Sequence, residues 1–231
     1  MAYEYNFNSD NCWYICSCGK ANTKECRASC IRYMEMDYLM QTSNIPKRMQ
    51  YPVDLIPSKA DINAFLKLKN IKDNILEFVG EGHNLYLFSE KFGNGKTTWS
   101  IKLMLKYFDE VWAGNGFKCR GIFINVPTFL TKLKENISRK DANFEELRDR
   151  LLSVDLVIWD DIAATTLGDY DHANLLTYID QRKLSGLSNI YTGNMEEQAL
   201  RHALGNRLSS RVWNDSVVIE FVGEDRRSSK W

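Results

Sequence analysis

Apolar runs of four or five residues recur along the chain, separated by longer stretches in which apolar positions return at helical spacing. Leu85-Tyr86-Leu87-Phe88, Gly121-Ile122-Phe123-Ile124-Asn125, Leu156-Val157-Ile158-Trp159, Ser188-Asn189-Ile190-Tyr191-Thr192 and residues 217–221 read as strands. Residues 71–79, 99–108, 129–136, 144–152 and 173–183 read as helices, the first with Ile71, Ile75, Phe78 and Val79 on one side. Thr128 is expected to cap the third of these, and Asp141 precedes the fourth. Strands alternating with helices predict an α/β fold, a mostly parallel five-stranded sheet covered by helices on both faces. Ahead of it lie a Tyr, Met and Leu-rich run at 31–40 and a stretch at 42–57 whose Pro46, Pro52 and Pro57 predict a linker.

Length and charge narrow the picture. A chain of 231 residues accommodates one ordinary domain and a small appendage. Its 30 basic and 30 acidic residues cancel, so contact with nucleic acid must come from a local patch rather than a global field. No apolar run approaches membrane-spanning length, and the N-terminus has no basic start followed by an apolar stretch, so a cytoplasmic protein is expected.

The strand at 85–88 runs into Ser89-Glu90-Lys91-Phe92-Gly93-Asn94-Gly95-Lys96-Thr97-Thr98 and then a helix. This is the build of a phosphate-binding loop, in which backbone N–H groups and the positive helix end surround the β- and γ-phosphates of a nucleoside triphosphate. Lys96 adds a point charge and the Thr97 hydroxyl can hold Mg²⁺. Glu90 stands where the usual signature has its first glycine, and its side chain is expected to point outward. Downstream, the apolar strand at 156–159 delivers Asp160 and Asp161, the first suited to hold Mg²⁺ through water and the second to polarise an attacking water. Asn194, after the strand at 188–192, is expected near the γ-phosphate or as a cap for the following helix. Arg207 and Arg211 are one helical turn apart, a spacing suited to reaching a neighbour's triphosphate.

Five of the six cysteines crowd into positions 12–30. In a reducing compartment such crowding favours metal ligation over disulfides, and Cys26 and Cys30 share a face if they lie on a helix. Cys12, Cys18, Cys26 and Cys30 are the expected tetrahedral Zn²⁺ ligands, with Cys16 an alternate for Cys12; free thiols in a small core and an iron–sulfur cluster are the other readings. Cys119 stands alone and is expected to be buried filler.

Taken together, Phe88 to Thr97, the Val-Ile-Trp-Asp-Asp strand, Tyr-Thr-Gly-Asn194, Leu-Gly-Asn-Arg-Leu-Ser-Ser-Arg211 and Asp-Arg-Arg-Ser228 resemble the AAA+ ATPase of DnaC/DnaI-type replicative helicase loaders. The IstB-type transposition ATPases share that core. A cysteine-bearing head on a linker is more like DnaI and its phage-borne relatives, where the head binds helicase. The resemblance implies a head at 1–45, a linker at 46–59 and an ATPase domain at 60–231. It makes Gly93, Asn94, Gly95, Lys96, Thr97 and Thr98 the ATP-binding loop, Asp160 the magnesium ligand, Asn194 the first sensor, Arg211 a trans-acting finger with Arg207 beside it, and Arg227 the second sensor. Asp161 stands where the family usually has glutamate, which implies slow hydrolysis or a rearranged water. An arginine donated across a subunit boundary is worth ~10³-fold or more in phosphoryl transfer and forces a homo-oligomer. Lys132, Lys134, Arg139 and Lys140 correspond to the family's insertion facing single-stranded DNA. The implied function is ATP-dependent loading of a hexameric replicative helicase onto single-stranded DNA, with an IstB-like transposition regulator or a non-hydrolysing ATP-binding adaptor as alternatives.

Overall fold

The computed structural model describes residues 3–5, 7–21, 23–111 and 117–225. Five strands, β1 (Asn84–Phe88), β2 (Gly121–Asn125), β3 (Leu156–Asp160), β4 (Ser188–Gly193) and β5 (Val217–Glu220), form one sheet in the order β2-β3-β4-β1-β5. Every neighbouring pair is parallel.

Alternation within these short runs sorts side chains to two faces. Leu85, Leu87, Phe123, Ile158, Ile190 and Ile219 face one cluster with buried residues of α1 (Ile31–Thr42), α2 (Ile62–Asp73), α3 (Ile75–Gly80) and α4 (Lys96–Glu110). Tyr86, Phe88, Ile122, Ile124, Val157, Trp159 and Tyr191 face the other, with α5 (Val126–Arg139), α6 (Ala142–Leu151), α7 (Asp169–Leu184) and α8 (Glu197–Trp213). A sheet covered on both faces explains strands that read as apolar throughout.

Several expected elements change on folding. The helix at 71–79 is two helices broken at Asn74, whose side-chain amide donates to the Asn70 carbonyl at 2.9 Å in competition with the backbone ladder. Asn125, not Thr128, caps α5: its side-chain oxygen accepts the Thr128 N–H at 3.3 Å and the Thr128 hydroxyl at 2.7 Å, with Pro127 in the first turn. Asn194 does not cap α8, which begins at Glu197 behind Glu196.

The N-terminal segment shares the core of the sheet. Tyr14, Met36, Leu39 and Met40 are buried in the same cluster as α4, the Phe123 N–H donates to the Ser43 carbonyl at 2.7 Å, and Arg32 pairs with Asp109 of α4 at 2.8 Å. Residues 46–59 run along this body with a short 3-10 turn at Lys47–Met49, and Met49 and Leu55 pack against its core.

Candidate functional site

The loop after β1 turns on two glycines in the left-handed region, Gly93 at φ 71° and Gly95 at φ 105°, conformations that cost a residue with a Cβ. Gly95 leads directly into α4, so the first backbone N–H groups of that helix face the loop. Lys96 is buried and turns back over it, donating to the Lys91 carbonyl at 3.1 Å and to Asn94 Oδ1 at 3.2 Å. Asn94 is itself buried and hydrogen-bonds Ser89, while Glu90 is exposed, as its position in the sequence leads one to expect. Thr98 is half-buried on the first turn of α4.

Chain segments from both ends flank this loop. A Cβ on Gly93 would run into the Asp225 carboxylate, and one on Gly95 into Leu55. Lys91 pairs with Glu224 at 2.6 Å, and Asp61, fully buried, accepts the N–H groups of Val222 at 2.8 Å and Gly223 at 3.0 Å. Asp61 thus fastens the C-terminal segment to the start of α2, beside the phosphate loop.

Asp160 ends β3 in a buried position, and its Oδ1 accepts the Thr97 hydroxyl at 2.8 Å and the Thr192 hydroxyl at 2.8 Å. Burial and then the Asp161 charge push the Asp160 carboxyl above its ordinary value, against hydrogen bonds from Thr97, Thr192 and Asn125. Asp161 adopts φ 58°, and its N–H donates to Thr192 Oγ1 at 3.0 Å. Asn194 follows β4, and its buried Oδ1 has no protein partner among the described residues. One edge of the sheet therefore gathers an inward-turned ammonium, a hydroxyl, two adjacent carboxylates and an orphaned amide oxygen. That donor set, with left-handed glycines leading into a helix N-terminus, fits a magnesium-bound triphosphate.

Arg207 and Arg211 lie elsewhere. Both reach Asp180 on α7, at 3.0 and 2.6 Å, and Arg211 also approaches Asp215 at 3.3 Å. The Asp215 carbonyl accepts from the Asn84 side chain at the start of β1, so this cluster sits at the sheet edge opposite the phosphate loop. Gly205, at φ 70° and ψ 166°, kinks α8 ahead of the arginines, and His172 Nε2 meets the Leu204 carbonyl there at 2.8 Å. Arg227 lies outside the described residues.

The expected thiolate site is not assembled. Among the described residues no three Cys, His, Asp or Glu side chains converge as metal ligands. Residues 26–30 are not helical, with a turn at 28–29 and Cys30 at the N-cap of α1, so Cys26 and Cys30 do not share a helical face. Cys12 packs against the core, whereas Cys16, Cys18 and Cys30 are exposed. The cysteines do not fit a Zn²⁺ or iron–sulfur centre as arranged here. Cys119 is buried, and burial raises its thiol above the ordinary value.

Of the basic residues expected to face DNA, Lys134 pairs with the buried Asp171 at 2.7 Å and Arg139 with Glu135 at 3.3 Å. Lys140 ends α5 at φ 49°. Lys132 lines a cleft of about 980 Å³ between α1 and the α5–α6 pair, along with Trp13, Tyr51, Phe129 and Phe144. Trp13 and Tyr51 stack there at 6.2 Å with an interplanar angle of 5°.

No protein-family model matches the chain, and no curated protein matches its sequence. Solved structures do match. A crystal structure of the DnaC helicase loader superposes with a TM-score of 0.64 at 17% identity, over 76% of this chain and 99% of that one. The fold is like that of the DnaC helicase loader structure. A crystal structure of DnaI matches with a TM-score of 0.57 at 22% identity, over 79% and 94% of the two chains. Replication initiator DnaA bound to AMPPCP and single-stranded DNA matches with a TM-score of 0.58 at 17% identity, over 72% of this chain but only 48% of that one. Among the described residues no helix is long and apolar enough to cross a membrane.

Thr192 is a site neighbour not expected from the sequence. Its buried hydroxyl joins Asp160 to the Asp161 backbone, and the only signal for it was a threonine two positions before Asn194.

Proposed function

We propose that this protein is an ATP-dependent loader that places a hexameric replicative helicase on single-stranded DNA. The observation that carries the reading is the 2.8 Å bond from Thr97 to Asp160, which joins the phosphate loop to the acidic strand end beside Lys96. The likeness to a helicase loader over 99% of the chain in that structure supports the biological setting. On this reading Gly93, Asn94, Gly95, Lys96 and Thr98 cradle the phosphates, and Thr97 and Asp160 hold Mg²⁺, which supplies positive charge against the phosphate oxygens. Asp161 polarises the water, and the orphaned Asn194 Oδ1 lies ready to accept from that water, while its NH2 is the group able to donate to the γ-phosphate.

Arg211, with Arg207 beside it, serves a neighbouring copy, because Arg207 and Arg211 point away from their own loop, and Arg227 is the second sensor. Residues 1–45 bind the helicase, 46–59 connect, and 60–231 form the ATPase. The cleft beside Lys132, with its stacked Trp13 and Tyr51, supports contact with unpaired bases. Lys96→Ala should abolish ATP binding while leaving helicase binding intact, read by nucleotide titration and by complex mass. Unchanged nucleotide affinity in that variant would refute the site.

The short arm and left-handed backbone of Asp161 favour one second reading, an adaptor that binds ATP as a clamp without hydrolysis. Undetectable turnover with DNA and helicase present would select it.

A further inference from the structure

Thr192 is fully buried one residue from the end of β4. The backbone ladder between β3 and β4 has Trp159 opposite Tyr191 as its last pair, and beyond it Thr192 takes over. Its hydroxyl donates to Asp160 Oδ1 at 2.8 Å, the same oxygen accepts the Asp161 N–H at 3.0 Å, and its carbonyl accepts the Ile162 N–H at 3.0 Å. One residue thus grips three successive residues at the mouth of the candidate site.

The chemistry fixes the direction of each bond. A threonine hydroxyl has one proton, and the Asp161 N–H can only donate, so the hydroxyl proton goes to the carboxylate. Asp161 holds φ 58°, a conformation that aspartate tolerates better than most side chains but that still needs support. The Asp161 N–H faces Thr192 Oγ1, and the branched Thr192 side chain has little freedom to turn away.

We infer that Thr192 is a positioning residue of the hydrolytic centre, one that sets the Asp160 carboxylate and holds the Asp161 backbone in the turn that aims its side chain. The inference rests on the reading of Asp160 and Asp161 given above. It predicts that Thr192 governs turnover and the use of Mg²⁺ while contributing nothing to the grip of the loop on the nucleotide. Asn194 is a separate group, since it follows β4 and its amide oxygen is unpartnered among the described residues.

The test compares full-length wild type with Thr192→Val, which keeps the shape and removes the hydroxyl, and Thr192→Ser, which keeps the hydroxyl. ATP affinity is measured in EDTA and in Mg²⁺, and turnover is followed against Mg²⁺ concentration. Thr192→Val should lose turnover by about 10- to 100-fold and need more Mg²⁺, the range for groups that orient metal ligands, with affinity in EDTA within about twofold of wild type. Thr192→Ser should recover most of the loss, which a purely structural role would not require. Where the valine variant does not fold, Thr192→Ala replaces it.

Valine with wild-type turnover and Mg²⁺ requirement, or serine as impaired as valine, would overturn the inference. If wild type turns over no ATP, the Mg²⁺-dependent gain in nucleotide affinity becomes the readout, and it should be lost with valine and kept with serine. A wild type with neither turnover nor Mg²⁺-dependent binding removes the proposed ATPase and this inference together. Wild-type activity that valine retains removes this inference alone.

Discussion

The Thr97 hydroxyl donates to Asp160 Oδ1 across 2.8 Å, joining the first turn of α4 to the end of β3 although the two residues stand 63 positions apart. The bond implies energetic coupling. Thr97→Ala and Asp160→Asn should each weaken Mg²⁺-dependent ATP binding by about 10-fold or more. The double variant should lose less than the product of the two, because partners in one network are not additive. Calorimetric titration of all four proteins checks this, and strict additivity would mean that the two groups act apart.

Asp225 abuts Gly93, so a carboxylate borders the loop that would receive triphosphate. Asp225→Asn removes a like charge and should tighten ATP binding about two- to fivefold at low salt, the gain shrinking as added salt screens the interaction. Titrations at low and high ionic strength provide the comparison. Looser binding in the variant would show that the carboxylate assists the nucleotide rather than opposing it.

The sheet and the phosphate loop were legible because each depends on short-range chemistry. A run such as Leu156-Val157-Ile158-Trp159, short and rich in β-branched and aromatic residues, reads as a strand buried on both faces, and Gly93 and Gly95 mark the turns that a left-handed backbone demands. What escaped depends on partners distant in sequence. Asn125 took the cap expected of Thr128 because the strand ends there, and Asn74 broke a helix that periodicity alone would have carried through. The cysteine spacing suggested a metal site, yet α1 starts only at Ile31 and Cys12 is drawn toward the core beside Trp13. Nothing local in the sequence says that Arg207 and Arg211 meet Asp180, or that Thr192 faces Asp160.

The cysteine arrangement makes a direct prediction. Cys16, Cys18 and Cys30 are exposed and should react with an aromatic disulfide reagent in the native protein without added chelator. Cys119, buried and with its thiol raised by burial, should react only after denaturation. Protection of the exposed thiols until a chelator is added would instead reveal a metal centre.

Asp180 supplies a pH dependence. Burial pushes its carboxyl up, but the hydrogen bond and charge of Arg211, followed by those of Arg207, outweigh this and hold it below the ordinary value. A carboxylate depressed in the folded state contributes stability that is fully present above its unfolded pKa and is lost as pH falls through the folded one. Asp180→Asn should therefore cost about 1 kcal/mol or less at pH 7, with the difference from wild type beginning to shrink below about pH 4 and vanishing only at still lower pH. Urea unfolding across that range checks the sign, and a difference that grows toward acid would contradict it.

Arg182 carries the heaviest structural demand away from the site. Its guanidinium is fully buried, and its hydrogen bonds among the described residues go to carbonyl and amide oxygens rather than to a carboxylate. It donates instead to the carbonyls of Leu151 at 2.6 Å, Val154 at 2.9 Å and Ser188 at 2.6 Å, and to Asn189 Oδ1 at 2.7 Å. Burial pulls its pKa down to about 10, so the charge persists at neutral pH and is stabilised by oriented dipoles. The planar fork reaches the end of α6, the turn before β3 and the start of β4 together, and a lysine ammonium with three donors on one atom cannot span the same oxygens. Arg182→Met should cost about 3 kcal/mol or more by orphaning several buried acceptors. Arg182→Lys should recover little of that loss. Denaturant melts of the two variants decide the matter, and a lysine variant close to wild type in stability would mean that charge, not the fork, holds this corner of the sheet.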